Sequence, residues 1–274
     1  SDLETYMENL TKVTAEKERI GAELDVATHI QASMLPCIFP PFPDRTEFDL
    51  SASMAPAKEV GGDFYDFFLV DEDHLAVVIA DVSGKGVPAA LFMVIAKTLI
   101  KDQTQTGKSA AEVFDEVNEQ LCESNDEGLF VTAWLGILQI STGHMEFVNA
   151  GHNPPVICSR DGEFAYLKMR PGFVLAGMEG MHYRMGTFDF HPGDILYLYT
   201  DGVTEATNLR EELYGEDRLK RILDENKQVA PAELIERVKM DVDAFAGQAP
   251  QFDDITMLAL KILQQTSNRL KPGC

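Results

Sequence analysis

The sequence has few cysteines, few basic residues and no long apolar run. No stretch approaches the ~18 apolar residues that cross a bilayer, so we expect no membrane contact by this chain. Its 23 basic side chains stand against 45 acidic ones, a formal charge of −22, and this excess disfavours an interaction with nucleic acid. The four cysteines show neither C-x-x-C spacing nor the density of a disulfide scaffold. This pattern predicts a reducing, cytoplasmic location.

Several catalytic motifs are missing as well. The chain contains no G-x-S-x-G elbow, no G-x-x-x-x-G-K-[ST] phosphate loop and no kinase catalytic loop. No cysteine precedes an arginine at the spacing of a cysteine phosphatase, and no histidines have the zinc-binding H-x-x-x-H spacing. Residues 84–89 match the G-x-G-x-x-A turn of dinucleotide-binding folds. However, the acidic strand tip expected about 20 residues further on is missing, which disfavours that fold.

Apolar periodicity predicts an α+β domain. Strands follow one another in hairpins and helices come in pairs, which favours a sandwich over a doubly wound parallel sheet. Hydrophobic residues make up 45% of the chain, enough for a sizeable core. The predicted strands are residues 47–54, 63–70, 74–81, 129–140, 144–149, 156–159, 164–167, 183–190, 195–199 and 255–262, and the predicted helices are 87–100, 110–123, 216–223 and 231–246.

The first 35 residues form a separate predicted unit. They contain no proline, and from Leu10 to Met34 apolar residues recur at heptad spacing, with polar interruptions at Lys17 and Gln31. Two interpretations stand: a coiled coil of two chains, or an amphipathic helix on the surface of its own domain. Four prolines then stop the helix. We therefore predict a helix over 1–35, a Pro-rich linker over 36–46, a domain over 47–264 and a tail over 265–274.

Four aspartates lie beside glycines or at the tips of apolar strands: Asp63, Asp81, Asp201 and Asp253. A carboxylate at the rim of a core is costly unless it is hydrated, hydrogen-bonded or paired, and only Lys58 and Lys85 are close in sequence. Divalent cations such as Mg²⁺ or Mn²⁺ would compensate these charges. Two ions ~3.5–4 Å apart lower the pKa of a bridging water, which suits phosphoester hydrolysis. The alternative is that each Asp-Gly pair is a turn.

Six segments, in this order, resemble the bacterial SpoIIE/RsbU branch of the PPM (protein phosphatase 2C-like) superfamily. Together with the preceding helix end HIQASMLP, they cover nearly the whole chain. The segments are VGGDFYDFF (60–68), IADVSGKGVPAALFM (79–93), FVTAWLGIL (130–138), NAGHNPP (149–155), LYTDGVTEATN (198–208) and FDDITML (252–258).

This resemblance implies an αββα sandwich of two antiparallel sheets flanked by helices, with two Mn²⁺ or Mg²⁺ ions at one edge. Asp63 and Asp81 would bridge or flank the metals, and the carbonyl of Val82 would bind one of them. The other ligands would be Asp201 and Asp253. The resemblance gives Asp254 an orienting role behind the ligands.

The sequence departs from the eukaryotic branch directly after Asp81. That branch has Gly-His there, and its histidine is a candidate general acid, whereas this chain has Val82 and Ser83. The identity of the acid is therefore open, and a metal-bound water and Lys85 are candidates. Ser83 and Lys58 are further candidates for contact with substrate, and for Lys58 the alternative is a solvated lysine.

The resemblance implies a metal-dependent protein serine/threonine phosphatase, the output domain of a bacterial signalling protein. Its substrate would be a phosphorylated STAS-domain anti-sigma-factor antagonist. The N-terminal helix would carry the signal of an upstream sensor or activator. The alternative is a catalytically weak or inactive partner-binding module of the same fold. Such a module would be expected to lose one of the four aspartates, and all four are present.

Overall fold

The computed structural model describes residues 2–123 and 125–263, and the predicted tail over 265–274 lies outside them. Two antiparallel five-stranded sheets pack face to face, with strand orders β1-β10-β9-β6-β7 and β2-β3-β4-β5-β8. The strands are β1 Phe48–Ala55, β2 Phe64–Leu69, β3 His74–Val82, β4 Val131–Gln139, β5 His144–Ala150, β6 Val156–Cys158, β7 Phe164–Tyr166, β8 Met185–Asp189, β9 Ile195–Tyr199 and β10 Ile255–Ile262. The helices are α1 Asp2–Met34, α2 Val87–Thr104, α3 Ala110–Cys122, α4 Asp201–Thr204, α5 Glu216–Glu225 and α6 Pro231–Ala246.

The alternation of side chains along β9 shows how the layers are filled. Successive residues of a strand point to opposite faces, so Leu196 and Leu198 enter the core between the sheets. Tyr197 and Tyr199 point the other way, into a second core against α5 and α6. Helices α2 and α3 cover the outer face of the other sheet. The predicted αββα sandwich is confirmed.

Helices α2 and α4 differ most from the prediction, and α5 ends at Glu225, two residues later than predicted. Helix α2 continues beyond residue 100 to Thr104, a buried threonine whose Oγ1 donates to the carbonyl of Ile100 one turn earlier. The four-residue helix α4, Asp201–Thr204, was not predicted. Its sequence DGVT reads as a turn, and a single helical turn is too short to show a 3.6-residue period.

Helix α1 has two parts with different surroundings. Its N-terminal part is exposed together with its apolar side chains, such as Leu10 and Val13. At its C-terminal end, Gln31 and the following Leu35 are buried against the domain. The end of the helix therefore fits the surface-helix interpretation, and the coiled coil stays a prediction for the exposed part. None of the described helices combines the length and apolar character of a membrane span.

Candidate metal centre

The pairing of strands places the four aspartates at one edge of the sandwich. Asp63 immediately precedes β2 and Asp81 is the penultimate residue of β3, and these strands pair antiparallel with Phe64 opposite Ala80. In the other sheet, Asp201 follows β9 and Asp253 precedes β10, which also pair antiparallel. In an antiparallel pair the end of one strand meets the start of the next. Each sheet therefore contributes two aspartates.

Asp63 joins the two sheets through hydrogen bonds. Its carboxylate is 1% exposed, and Oδ2 accepts from the hydroxyls of Thr200 at 2.7 Å and Thr256 at 2.5 Å. The backbone N–H of Thr256 also donates to Oγ1 of Thr200 at 3.1 Å. A buried charge needs such donors. Thr200 and Thr256 therefore fix the position of the Asp63 carboxylate from the opposite sheet.

The aspartates raise one another's pKa. Burial, and then the charge of Asp81, hold the pKa of Asp63 well above its ordinary value. Burial, followed by the charge of Asp201, raises the pKa of Asp81 to about 7. The pKa of Asp201 is raised by burial, then by Glu205 and Asp253. Ionised together, these groups repel one another, and a divalent cation would offset that repulsion.

Lys85 supplies a positive charge at this edge. Its Nζ lies 2.9 Å from Oδ2 of Asp253, donates to the carbonyl of Phe252 at 2.7 Å and lies 3.8 Å from the centre of the Phe252 ring. Gly84 and Gly86, on either side of the lysine, have φ of 87° and 78°. These left-handed conformations favour glycine and turn the chain sharply between β3 and α2. The turn formed by Gly84, Lys85 and Gly86 thus places a lysine beside the aspartates, instead of forming a phosphate cradle.

Asp254 lies at the same edge and accepts hydrogen bonds from the backbone before β2. Its Oδ1 accepts from the N–H of Ala57 at 2.8 Å, and its Oδ2 accepts from the N–H groups of Gly62 at 2.9 Å and Asp63 at 3.3 Å. A Cβ on Gly61 would stand 2.2 Å from the same carboxylate, so only glycine fits there. Asp254 therefore anchors residues 57–63, which we call the metal loop.

The donor set fits hard divalent cations, although its members do not surround one ion as they stand. In the described ranges, no three His, Cys, Asp or Glu side chains are arranged as ligands of a single ion. Asp63 is turned to two hydroxyls and Asp253 to Lys85. At this edge lies a cavity of about 10 Å³, lined by residues that include Asp81, Asp253 and Lys85 but neither Asp63 nor Asp201. Its size suits one water or ion, and its carboxylate oxygens suit Mg²⁺ or Mn²⁺.

The remaining predicted residues are Val82, Ser83 and Lys58, and of these three only Lys58 lines this cavity. The carbonyl of Val82 approaches Gly62, where an added Cβ would stand 2.8 Å from it. Ser83 pairs with Phe130: its Oγ accepts from the Phe130 N–H at 2.9 Å, and its N–H donates to the Phe130 carbonyl at 2.8 Å. Lys58 is exposed and lines the cavity. In this structure Ser83 is thus occupied in holding the turn after β3 against the start of β4.

Three residues at this edge were not predicted from the sequence: Thr200, Thr256 and Gln31. Both threonines lie inside the quoted motifs, directly before Asp201 and two residues after Asp254, so their position beside candidate ligands was the available signal. Gln31 was interpreted only as a polar interruption of the heptad. Its amide in fact binds the metal loop, through Gly61.

The fold and the site together define a PP2C-like phosphatase domain. The chain belongs to the SpoIIE family, since the model described as Stage II sporulation protein E (SpoIIE) matches residues 71–263. This match begins after Asp63.

Curated relatives align over a longer part of the chain. Protein IcfG of Synechocystis is 32% identical over 286 residues, covering 93% of this chain and 44% of IcfG. Phosphoserine phosphatase RsbU of Bacillus subtilis is 27% identical over 256 residues, covering 93% of this chain and 74% of RsbU. The chain therefore spans less than half the length of IcfG and about three quarters of RsbU.

Solved structures share the fold. The SiaA-PP2C domain of Pseudomonas aeruginosa superposes with a TM-score of 0.79 at 24% identity, covering 90% of this chain and 99% of that domain. The PP2C phosphatase domain of SpoIIE from Bacillus subtilis, with a fragment of its regulatory domain, gives a TM-score of 0.68 at 18% identity, covering 78% and 63%. At these identities the likeness is one of fold.

Proposed function

We propose that the chain is a metal-dependent protein serine/threonine phosphatase that acts in the cytoplasm. The observation that carries this proposal is the meeting of four aspartates from two sheets, with the pKa of Asp63, Asp81 and Asp201 raised by burial and by neighbouring acidic groups. Such clusters of perturbed carboxylates are typical of catalytic metal sites. RsbU, a relative over 93% of this chain, is named a phosphoserine phosphatase.

Two ions, Mn²⁺ or Mg²⁺, would be held by Asp63, Asp81, Asp201, Asp253 and the carbonyl of Val82. When bound, they would supply an activated water and offset the charge of the phosphoryl oxygens. RsbX, which shares this fold with a TM-score of 0.61, has a structure in complex with magnesium. The choice of hard cations is further supported by the all-oxygen donor set.

The chain's own residues would position and polarise the phosphoryl group. Thr200 and Thr256 hold the Asp63 carboxylate, and Asp254 holds the loop before it. The ammonium of Lys85 is the nearest cation to Asp253 among the described side chains. We propose that it contacts a phosphoryl oxygen and holds a proton beside the departing serine or threonine oxygen. The exposed Lys58 would attract the phosphate from the rim.

The proposed partners follow from the family resemblance. The substrate would be a phosphorylated STAS-domain anti-sigma-factor antagonist, and an upstream sensor or activator would act through α1. The exposed apolar residues of α1 support a two-chain coiled coil over its N-terminal part, because a solvated helix does not need such a stripe. They are Leu3, Tyr6, Met7, Leu10, Val13 and Ile20.

The proposal is tested by dephosphorylation of a phosphoserine protein and of p-nitrophenyl phosphate with Mn²⁺. Asp81→Asn and Asp201→Asn should each lower turnover by about 100-fold or more, the order expected when a main electrostatic group is lost. Asp161→Asn, at an exposed aspartate outside the site, is the matched control. Full activity in both site variants, or activity that survives chelation, would refute the mechanism. Mn²⁺ binding without turnover would favour the partner-binding module.

A further inference from the structure

The side-chain amide of Gln31 pairs with the backbone of one residue of the metal loop. Its Nε2 donates to the carbonyl of Gly61 at 2.7 Å, and its Oε1 accepts from the N–H of Gly61 at 3.0 Å. Gln31 is 6% exposed. Because both polar ends of the amide and both backbone groups of Gly61 are used, the contact fixes position and direction together. A buried apolar residue at this place in the heptad would do neither.

Gly61 is held from two sides. On one side lies Gln31, and on the other lies the carboxylate of Asp254, which would stand 2.2 Å from a Cβ on Gly61 and accepts from the N–H of Gly62. The backbone here is therefore clamped between α1 and the segment before β10. Asp63 follows two residues later, so its main-chain position depends on both contacts.

Further contacts join the end of α1 to the same region. Thr28 donates from Oγ1 to the carbonyl of Glu59 at 2.6 Å. Just beyond the helix, the carbonyl of Pro36 accepts from the hydroxyl of Tyr65 at 2.7 Å. The last turns of α1 thus contact the chain before Asp63, and the residue just beyond the helix contacts the chain after it. A shift of the helix would leave buried backbone groups of Gly61 without partners, which is unfavourable.

We propose that Gln31 is a positioning residue that couples α1 to the metal centre, so that docking of the helix end sets the affinity of the centre for its ions. This inference rests on the proposed function, because it assumes that Asp63 is a metal ligand. Gln31 does not bind the ion; it acts through Gly61 on the loop that carries Asp63. By reciprocity, ion binding must favour the docked position of the helix end to the same extent.

Mn²⁺ titration of the whole chain by calorimetry tests this coupling. Gln31→Met keeps the length of the side chain and loses both hydrogen bonds. Gln31→Glu keeps the shape and the acceptor but turns a second oxygen towards the Gly61 carbonyl. We expect both variants to bind Mn²⁺ at least about tenfold more weakly, the effect typical of residues that orient metal ligands. Gln105→Met and Gln105→Glu, at an exposed glutamine after α2, are matched controls and should bind as the wild type does.

A second measurement separates coupling from loss of stability. Hydrogen exchange of residues 28–35 and 57–63 should slow on addition of Mn²⁺ in the wild type and not in the Gln31 variants, whereas a merely structural role would leave this response intact. Unchanged Mn²⁺ affinity in both Gln31 variants, or an unchanged exchange response, overturns the coupling while leaving the proposed function standing. A wild-type chain that binds no Mn²⁺ overturns both.

Discussion

The ammonium of Lys85 lies 2.9 Å from the carboxylate of Asp253. This ion pair joins the turn after β3 to the segment before β10, and so connects the two sheets across the site. The pair is only partly buried, with about a third of each side chain exposed, so its net contribution is of the order of 1 kcal/mol or less. Lys85 thus occupies a carboxylate that the proposed metal also needs.

Replacing Lys85 should therefore tighten metal binding. Lys85→Met keeps the apolar contact with Phe252 and removes the competing charge, and we expect the Kd for Mn²⁺ to fall by up to about fivefold, the equivalent of ~1 kcal/mol. Calorimetry at fixed pH measures this. Lys58→Met removes the same charge from an exposed lysine lining the same cavity and should have a smaller effect. Weaker Mn²⁺ binding in Lys85→Met would contradict the expectation.

The fold and the aspartates could be predicted because their signals are local. An apolar run with alternation gives a strand, and an aspartate at its end marks the rim of a sheet. Thr256 shows the limit: its role depends on Asp63, which is far away in the sequence and lies in the other sheet. Nothing in the spacing of a lone threonine specifies such a partner.

Gln31 shows a second limit. A polar residue at a heptad position gives the same sequence pattern whether the helix packs against a second chain or against its own domain. Only the fold reveals that the last turns of α1 face the metal loop. This partner lies 30 residues further along the chain, so the helical spacing around Gln31 does not specify it.

A buried ion pair offers a test of stability away from the metals. Nζ of Lys97 on α2 lies 2.6 Å from Oδ2 of Asp66 on β2, and both side chains are largely buried. Lys97→Met leaves the carboxylate unpaired in the core and should cost about 3–5 kcal/mol of unfolding free energy. The double variant with Asp66→Asn should recover part of that loss.

Urea denaturation measures the unfolding free energies of the wild type, of Lys97→Met and of the double variant. Lys239→Met breaks an exposed pair with Asp243 on one helix and should cost no more than about 0.5 kcal/mol. Equal losses from the buried and the exposed pair would show that Lys97 does not support Asp66.

Metal binding should strengthen as the pH rises through neutrality. Burial and neighbouring acidic groups raise the pKa of Asp81 to about 7 and that of Asp63 well above its ordinary value. In the metal-free chain, a raised acid pKa favours folding at low pH, and this contribution is lost as the pH rises through the folded pKa. Ions compete with these protons, so Mn²⁺ should stabilise the chain more at about pH 8 than at about pH 6.

Thermal unfolding with and without Mn²⁺ at the two pH values checks this. Asp81→Asn lacks one ligand and has no proton to lose at this position, so its Mn²⁺ response should be smaller and depend less on pH than that of the wild type. If Mn²⁺ raised the unfolding temperature of the wild type more at about pH 6 than at about pH 8, the expected direction of the pH dependence would be wrong.

His152 should make the fold sensitive to acid. The side chain is 4% exposed, with Nδ1 3.0 Å from Oγ1 of Thr132, and burial lowers its pKa from 6.5 to about 4. The unfolded chain takes up a proton below about pH 6.5 and the folded chain does not, so stability falls as the pH drops from 6.5 towards 4, by up to about 1.4 kcal/mol per pH unit. In His152→Gln this loss is absent, so the difference in unfolding free energy between wild type and variant should narrow by about 2 kcal/mol between pH 7 and pH 5.

A control variant at another histidine should change stability with pH in the opposite direction. A hydrogen bond to Asp115 raises the pKa of the exposed His182, so His182→Gln should lose stability relative to the wild type on acidification. Urea unfolding at several pH values measures both, and parallel profiles for wild type and His152→Gln would show that this imidazole titrates alike in the folded and unfolded chains.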